Sequence, residues 1–267
     1  ANRPIKKVIL FVAALLVIVV KVARLRQIGE RLLKERRNLK KLMKWNKLYK
    51  YPKSSRSLVE GNRHYDISNE KLPSVTTIIS LTQSEEKKQS LEQWRKRVGE
   101  QEAENIKNTS ATRGTLMHSF LEYYVRGDKL LDTTDEGQAA SGMGQVIIDQ
   151  GLKDMEEVWG SEVTLFYPGL YAGSTDLCGV YGGRESIVDF KQTNKPKRRE
   201  WIEDYFVQLG AYAMAHDVVY KTCVDQGVIL MCSKDGYFQK FTSNGKEFTS
   251  YKHKFLAKVD QYYKLKS

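Results

Sequence analysis

The sequence predicts an α/β fold, a central mixed β-sheet flanked by helices. Three observations lead there. Between residues 84 and 159 the apolar positions recur at helical spacing, and from 161 to 193 they alternate as strands do. Pro-Gly and Gly-Gly pairs punctuate the alternating stretch. A helical run, two short strands and a last helix complete an order that suits a sheet covered by helices. The chain has no GxGxxG or GxxxxGK[ST] loop, which argues against a nucleotide-binding βαβ arrangement.

In chain order, residues 44–72 read as polar and irregular, with PKSS and EGNRHYDISNE giving loop and short strand. LPSVTTIIS (72–80) is β-branched and reads as extended chain entering a short helix. Residues 84–107 form a first long helix, with Trp94 and Val98 one turn apart. SATRGTLMHSFLEYYVRG (110–127) forms a second, stopped by Gly127. Residues 134–159 read as a weakly amphipathic helix. SEVTLFY, YAGSTDLCGVY and ESIVDFKQT form a three-strand meander. Residues 200–220 return to helix, GVILMCS and YFQKFT pair across the turn at 234–236, and residues 246–265 form the final helix.

Charge divides the chain unevenly. Residues 1–42 hold twelve Lys or Arg against two acids, a balance of +10, so the other 225 residues carry only +2 of the total +12. A basic excess of this kind suits an anionic partner. Within the segment, residues 8–20 are thirteen apolar residues in a row. As a helix they span about 20 Å, short of the roughly 30 Å of a hydrocarbon core. With flanking lysines snorkelling, residues 5–23 could just cross a membrane. Leu25, Ile28, Leu32, Leu39 and Leu42 then recur along a basic amphipathic helix. Three readings stay open for 1–42: a membrane anchor, a partner- or nucleic-acid-binding helix, or a segment foreign to the protein. MKWNKLYKYP from Met43 resembles a natural start, so residues 43–267 are read as the functional domain. The three cysteines, Cys178, Cys223 and Cys232, have neither disulfide-framework nor zinc-site spacing. They read as buried thiols in a reducing compartment.

The chemistry gathers in DFKQTNKPK, residues 189–197. Asp189 and Lys191 are two apart and share a strand face. They read either as an ion pair on an exposed strand or as part of a metal site that handles phosphate. A hairpin through Gly182 and Gly183 brings Asp189 toward Asp176, placed at the end of the preceding strand. Two adjacent carboxylates call for a cation, and oxygen-rich sites take Mg²⁺ or Mn²⁺. His118 and Glu122 are an i,i+4 pair on one helix face, as are Gln208 and Tyr212. Ordinary helix packing is the alternative for both pairs. Lys195, Lys197, Arg198 and Arg199 follow directly, either as a solvated loop or as a patch guiding a nucleic-acid strand.

Taken in order, GTLMHSFLE, GSTD, DFK and QLGAY resemble the motif series of RecB-type nucleases in the PD-(D/E)XK superfamily. The branch resembled is that of the mitochondrial genome maintenance exonuclease and its phage-encoded relatives. LPSVTTII, LEQWRKRVGEQEA and the Lys-Pro-Lys tail fit that branch, and the likeness covers roughly residues 72–220. The superfamily's leading Pro is replaced by Thr175 before Asp176.

The resemblance implies a restriction-endonuclease-like core beneath an N-terminal helical arch. It implies that His118, Asp176, Asp189 and the Phe190 backbone carbonyl hold a metal ion. Lys191 would be the catalytic lysine, Glu122 a support for the metal or its water, and Gln208 and Tyr212 a motif that contacts DNA or braces the lysine. Helices 84–107 and 110–127 would form the arch, with Arg95, Lys96, Arg97, Lys107 and Arg113 on the backbone of a threaded strand. Three cysteines at unsuitable positions imply no iron–sulfur cluster.

The function expected is a monomeric Mg²⁺- or Mn²⁺-dependent DNA exonuclease preferring a single-stranded end, in a phage-infected cytoplasm or a mitochondrial matrix. The alternative is a non-catalytic nucleic-acid-binding protein using the basic N-terminal helix, with or without a membrane tether.

Overall fold

In the computed structural model, the described residues are 44–128, 130 and 132–267, together with Arg26 and Gly29. The expectations for the apolar run, the basic helix and a membrane crossing at 5–23 therefore lie outside the described residues. Among the described residues no helix is long and apolar enough to cross a membrane.

Lys44–Ser267 is one folded unit. Its main sheet has six strands in the order β1-β5-β6-β7-β8-β9. These are β1 (Lys44–Trp45), β5 (Met155–Tyr167), β6 (Tyr171–Tyr181), β7 (Arg184–Thr193), β8 (Gln226–Ser233) and β9 (Phe238–Asn244). β5, β6 and β7 form the antiparallel meander, β7 and β8 pair in parallel, and β8 and β9 close a hairpin. A parallel pair needs a crossover, and helix α5 (Glu203–Tyr220) supplies it. The central sheet is thus mixed, as the sequence suggests.

Every residue of β8 is buried, which matches its unbroken apolar run and its cover on both faces. Ile229 belongs to the core formed with Phe206 and Leu209 of α5 and with Phe248 and Phe255 of α6 (Gly245–Lys266). Leu230 points the other way, toward Gly151 at the end of α4 (Asp135–Gln150). Tyr171, Ile78 and Val75 complete the α5–α6 side, the latter two from α1 (Val75–Leu81). Helix α3 (Glu100–Arg126) packs on α4 and on β7.

Residues 44–72 are more regular than their polarity suggests. They build a second sheet, β2 (Ser55–Val59), β3 (Asn62–Ile67) and β4 (Glu70–Pro73). Both hairpins close on two residues with positive φ, Glu60 (51°) with Gly61 (75°) and Ser68 (50°) with Asn69 (65°). That geometry matches the right-handed twist of the flanking strands. Tyr65, Ile67 and Leu72 anchor this sheet on Ala172 and Phe166 of the main sheet.

The helical region differs from its expected division. The break falls at Gly99, whose φ of 89° few other residues adopt, so the helices are α2 (Glu85–Val98) and a single 27-residue α3 running through 107–110. The run at 134–159 is helical only to Gln150, because β5 already begins at Met155. Six residues earlier than the alternation shows, β5 is fully in the sheet, and its register shifts at Met155/Glu157 and Val158/Gly160 blur the period.

Candidate active site

The β6–β7 ladder runs from Tyr181↔Arg184 to Leu177↔Val188 and then stops. In that register Asp176 would face Asp189 next. The strands part there, with β7 continuing on β8 and β6 on β5. The carboxylates therefore stand at a fork in the sheet. Asp176 lies inside β6, not at its end, because the strand reaches Tyr181. Its Oδ2 accepts a 2.6 Å hydrogen bond from the Phe190 N–H, a donor that the parted ladder leaves open. On the other flank, Ser161↔Leu177 and Val163↔Thr175 set Glu162 opposite Asp176. Glu162, Asp176 and Asp189 thus form one row across three strands.

The fork opens into a cleft of about 500 Å³ lined by His118, Glu122, Glu162, Asp176, Asp189, Lys191, Gln208 and Tyr212. On α3, Ala111, Gly114, Thr115, His118 and Glu122 form the stripe that faces it. His118 Nδ1 sits 2.8 Å from the Gly114 carbonyl, which can only accept, so Nδ1 carries the proton and Nε2 faces the cleft. Nε2 lies 3.2 Å from Asp176 Oδ2. Lys191 Nζ lies 2.5 Å from Asp189 Oδ2 and 4.9 Å from the centre of the Tyr205 ring. The first contact is an ion pair without hydrogen-bond alignment, since no donor meets the buried Asp189 Oδ2 in hydrogen-bond geometry.

Burial and charge work against each other here. Burial pushes the Asp189 carboxyl up to about 6, with Lys191 opposing and Asp176 assisting. Burial also acts to raise Asp176, but His118, Lys191 and the Phe190 N–H outweigh it and hold that carboxyl below the usual range. Burial would lower His118, yet Asp176 lifts it to about 9. For Lys191 the pull of Asp189 and Asp176 exceeds the burial penalty, so the amine stays protonated. Glu162 is raised to about 7 by burial and by Asp176.

The donor set has the chemistry of a hard-cation site, two carboxylates and an imidazole, with one buried carboxylate oxygen lacking an aligned donor. In this structure those groups stand as two ion pairs. Among the described residues no three His, Cys, Asp or Glu side chains already surround one point as ligands.

The other expected residues divide. Glu122 lines the cleft and pairs with Arg126 at 2.7 Å. Tyr212 accepts a 3.1 Å hydrogen bond from Gln208, and both line the cleft. Phe190 has a buried side chain and gives its N–H to Asp176. Arg113 lies off this cleft and donates to Gln192 at 2.9 Å and to Asn194. Arg95 pairs with Glu100, Lys96 with Glu92 and Lys107 with Glu104. Lys195 is exposed, the Lys197 N–H donates to Gln239, and Arg198 lies over the exposed Trp201 ring. Arg199 is committed to Glu247 and the Thr242 carbonyl. Cys178 and Cys232 are buried, but Cys223 is exposed, against expectation, because it follows the C-terminal end of α5 on the surface.

Sequence reasoning missed Glu162, Arg56, Arg63 and Tyr65, all of which line the cleft. For Glu162 the signal was present: an acid between Ser161 and Val163 in an alternating strand, in step with Asp176 across one turn.

The chain is similar to the human mitochondrial genome maintenance exonuclease 1, with 30% identity over 175 residues, 62% of this chain and 50% of that protein. The Xenopus tropicalis protein of the same name is 29% identical over 184 residues, 64% of this chain and 51% of that one. The chain spans about half the length of the curated relatives it matches. No family model matches it. Among solved structures, an alkaline exonuclease from Laribacter hongkongensis aligns with 57% of this chain and 83% of its own at 15% identity. Its TM-score of 0.28 is too low to establish a shared fold.

Proposed function

We propose that this chain is a Mg²⁺- or Mn²⁺-dependent nuclease of the PD-(D/E)XK type that hydrolyses DNA phosphodiester bonds from a single-stranded end. One observation carries the reading: His118, Asp176, Asp189 and Lys191, from α3, β6 and β7, open into a single cleft at a fork in the sheet. The similarity to proteins named exonucleases supports it.

His118, Asp176, Asp189 and the Phe190 carbonyl would hold the ion. A bound Mg²⁺ or Mn²⁺ would polarise a phosphoryl oxygen and make water more acidic. Lys191, kept protonated by two carboxylates, places positive charge beside the reacting phosphate. Glu122 is aimed by Arg126 and steadies the imidazole end of the cleft. Gln208 and Tyr212, bonded to each other at the cleft, would contact the DNA or brace the lysine. Helix α2 buries none of its residues and is tied to α5 through Lys87 and Asp204 at 2.7 Å, so with α3 it can arch over a threaded strand. Arg95, Lys96, Arg97, Lys107 and Arg113 would touch that strand, with Lys195, Lys197 and Arg198 beyond the cleft. The setting we propose is a mitochondrial matrix or a phage-infected cytoplasm, with the protein acting as a monomer.

Digestion of end-labelled single- and double-stranded oligonucleotides, with and without Mg²⁺, tests the reading. The single strand should shorten only with metal. Lys191→Ala and Asp189→Ala proteins should bind the oligonucleotide and leave it intact. Cleavage by either variant, or in excess EDTA, would end the proposal.

A further inference from the structure

Among the described residues, four cations line the cleft: Arg56, Arg63, His118 and Lys191. Two are committed to protein carboxylates, His118 to Asp176 and Lys191 to Asp189. Among the described residues, Arg56 and Arg63 make no ion pair. Arg56 lies over the Tyr65 ring at 5.6 Å, and Arg63 has no side-chain partner. The floor beneath them holds four acids, Glu122, Glu162, Asp176 and Asp189. An anionic substrate entering this cleft meets repulsion from the floor and attraction from one wall.

That wall is the small sheet. Arg56 pairs with Tyr65 and Leu58 with Arg63, so the four side chains share one face. The same face is apolar where Tyr65 and Ile67 seat it on Ala172, and basic where it lines the cleft. The backbone at Arg63 is fixed, because its carbonyl accepts from the Ser74 N–H and the Thr77 hydroxyl, both at 3.0 Å, and its exposed side chain is left free to reach a ligand. Opposite, α3 presents Gly114 and the small side chains of Ala111, Thr115 and Ser119 beside His118 and Glu122, a slim face with no lysine or arginine. The asymmetry leaves room for a chain between the two walls and a charge reason for its phosphates to lie toward β2 and β3.

We propose that Arg56 and Arg63 form a phosphate-binding subsite that holds the nucleic-acid backbone next to the bond being cut. The proposal rests on the nuclease reading and adds to it the element that positions the strand. Guanidinium forks suit phosphate oxygens in two-point contact, and neither fork has a competing carboxylate.

The test is binding of a fluorescent single-stranded oligothymidylate in EDTA across a salt series, using the full chain. Releasing two phosphate contacts from a single strand lowers the slope of log affinity against log salt by about 1.4. The Arg56→Gln/Arg63→Gln protein should show that drop and bind about tenfold or more weakly. The Arg56→Lys/Arg63→Lys protein should recover the slope. Oligonucleotides with 5′-phosphate, 3′-phosphate or hydroxyl ends separate two sources of the same chemistry. If the subsite takes a terminal phosphate, the Gln pair loses only the preference for that end. If it takes an internal diester, the loss is equal on all three. A Gln pair that melts as wild type does and keeps its slope on every oligonucleotide overturns the subsite. Wild-type cleavage with Mg²⁺, run alongside, reports separately on the nuclease reading. A wild-type chain that neither cuts nor binds removes both.

Discussion

Asp176 and Asp189 occupy the first cross-strand position at which β6 and β7 no longer pair, and the Phe190 N–H freed there is taken by Asp176. One side chain thus does two jobs, closing a backbone gap and presenting charge. The two can be separated. Asp176→Asn keeps an acceptor for the amide and should melt within a few degrees of wild type. Asp176→Ala leaves a buried N–H unpaired and should lose about 1–3 kcal/mol. Both should lose cleavage. Thermal melts beside the oligonucleotide assay check this, and equal melting of the two variants would remove the backbone role.

Glu162 stands opposite Asp176 with φ of 52°, a left-handed conformation inside a strand. Strain of this kind is kept where a side chain must be aimed. Glu162→Gln should fold normally and cut more slowly. Glu162→Val, β-branched and least at ease with positive φ, should cost about 1–2 kcal/mol of stability. Unchanged cleavage by the Gln protein would leave Glu162 with a purely local role.

Gly173 sits against the Tyr212 ring, and a Cβ there would fall 2.6 Å from a ring carbon. Gly173→Ala must push the ring, which also holds the Gln208 hydrogen bond in the cleft. The expected cost is about 1–3 kcal/mol, with reduced cleavage. A fully active, fully stable Ala protein would show that the ring has room to move.

His216 lies outside the cleft and should contribute to the pH dependence of stability in acid. Its Nδ1 donates to Thr222 at 2.8 Å, because the Thr222 hydroxyl is spent on Asp217, and its Nε2 accepts from Tyr51 at 3.1 Å. Burial holds its pKa near 4, with Asp217 opposing only in part. The folded state therefore refuses a proton that the unfolded chain accepts below about 6.5. The resulting stability is complete above that pH and is lost as pH falls toward 4, by about 2–3 kcal/mol. A His216→Gln protein should lack this component, so the difference between the two melting curves should shrink between about pH 7.5 and 4.5. A constant difference would contradict it.

The sheet was legible where period and turns agreed. The meander, the crossover helix and the final hairpin follow from alternation broken by Gly-Gly and Lys-Asp-Gly turns. What the sequence hid has physical causes. The small sheet closes on Glu60-Gly61 and Ser68-Asn69, pairs that lack the Asn-Gly signature, and its apolar positions are few because it seats on another sheet. The α2–α3 break rests on one glycine in a charged run that is helical on both sides. At the site, an i,i+4 pair, a two-residue strand spacing and a motif resemblance pointed to His118, Asp176, Asp189 and Lys191, and the fold brings all four to one cleft. Arg56 and Arg63 gave no such signal, since only the folding of β2 and β3 brings those arginines to the cleft.

The Phe190 amide is bonded to a carboxylate where a β-sheet amide ordinarily meets a carbonyl. Its proton resonance should lie well downfield and follow the charge on Asp176. In a nitrogen-labelled sample that one peak would register an arriving ion or phosphate at the fork before any strand is broken, turning a seam in the sheet into a built-in gauge of occupancy.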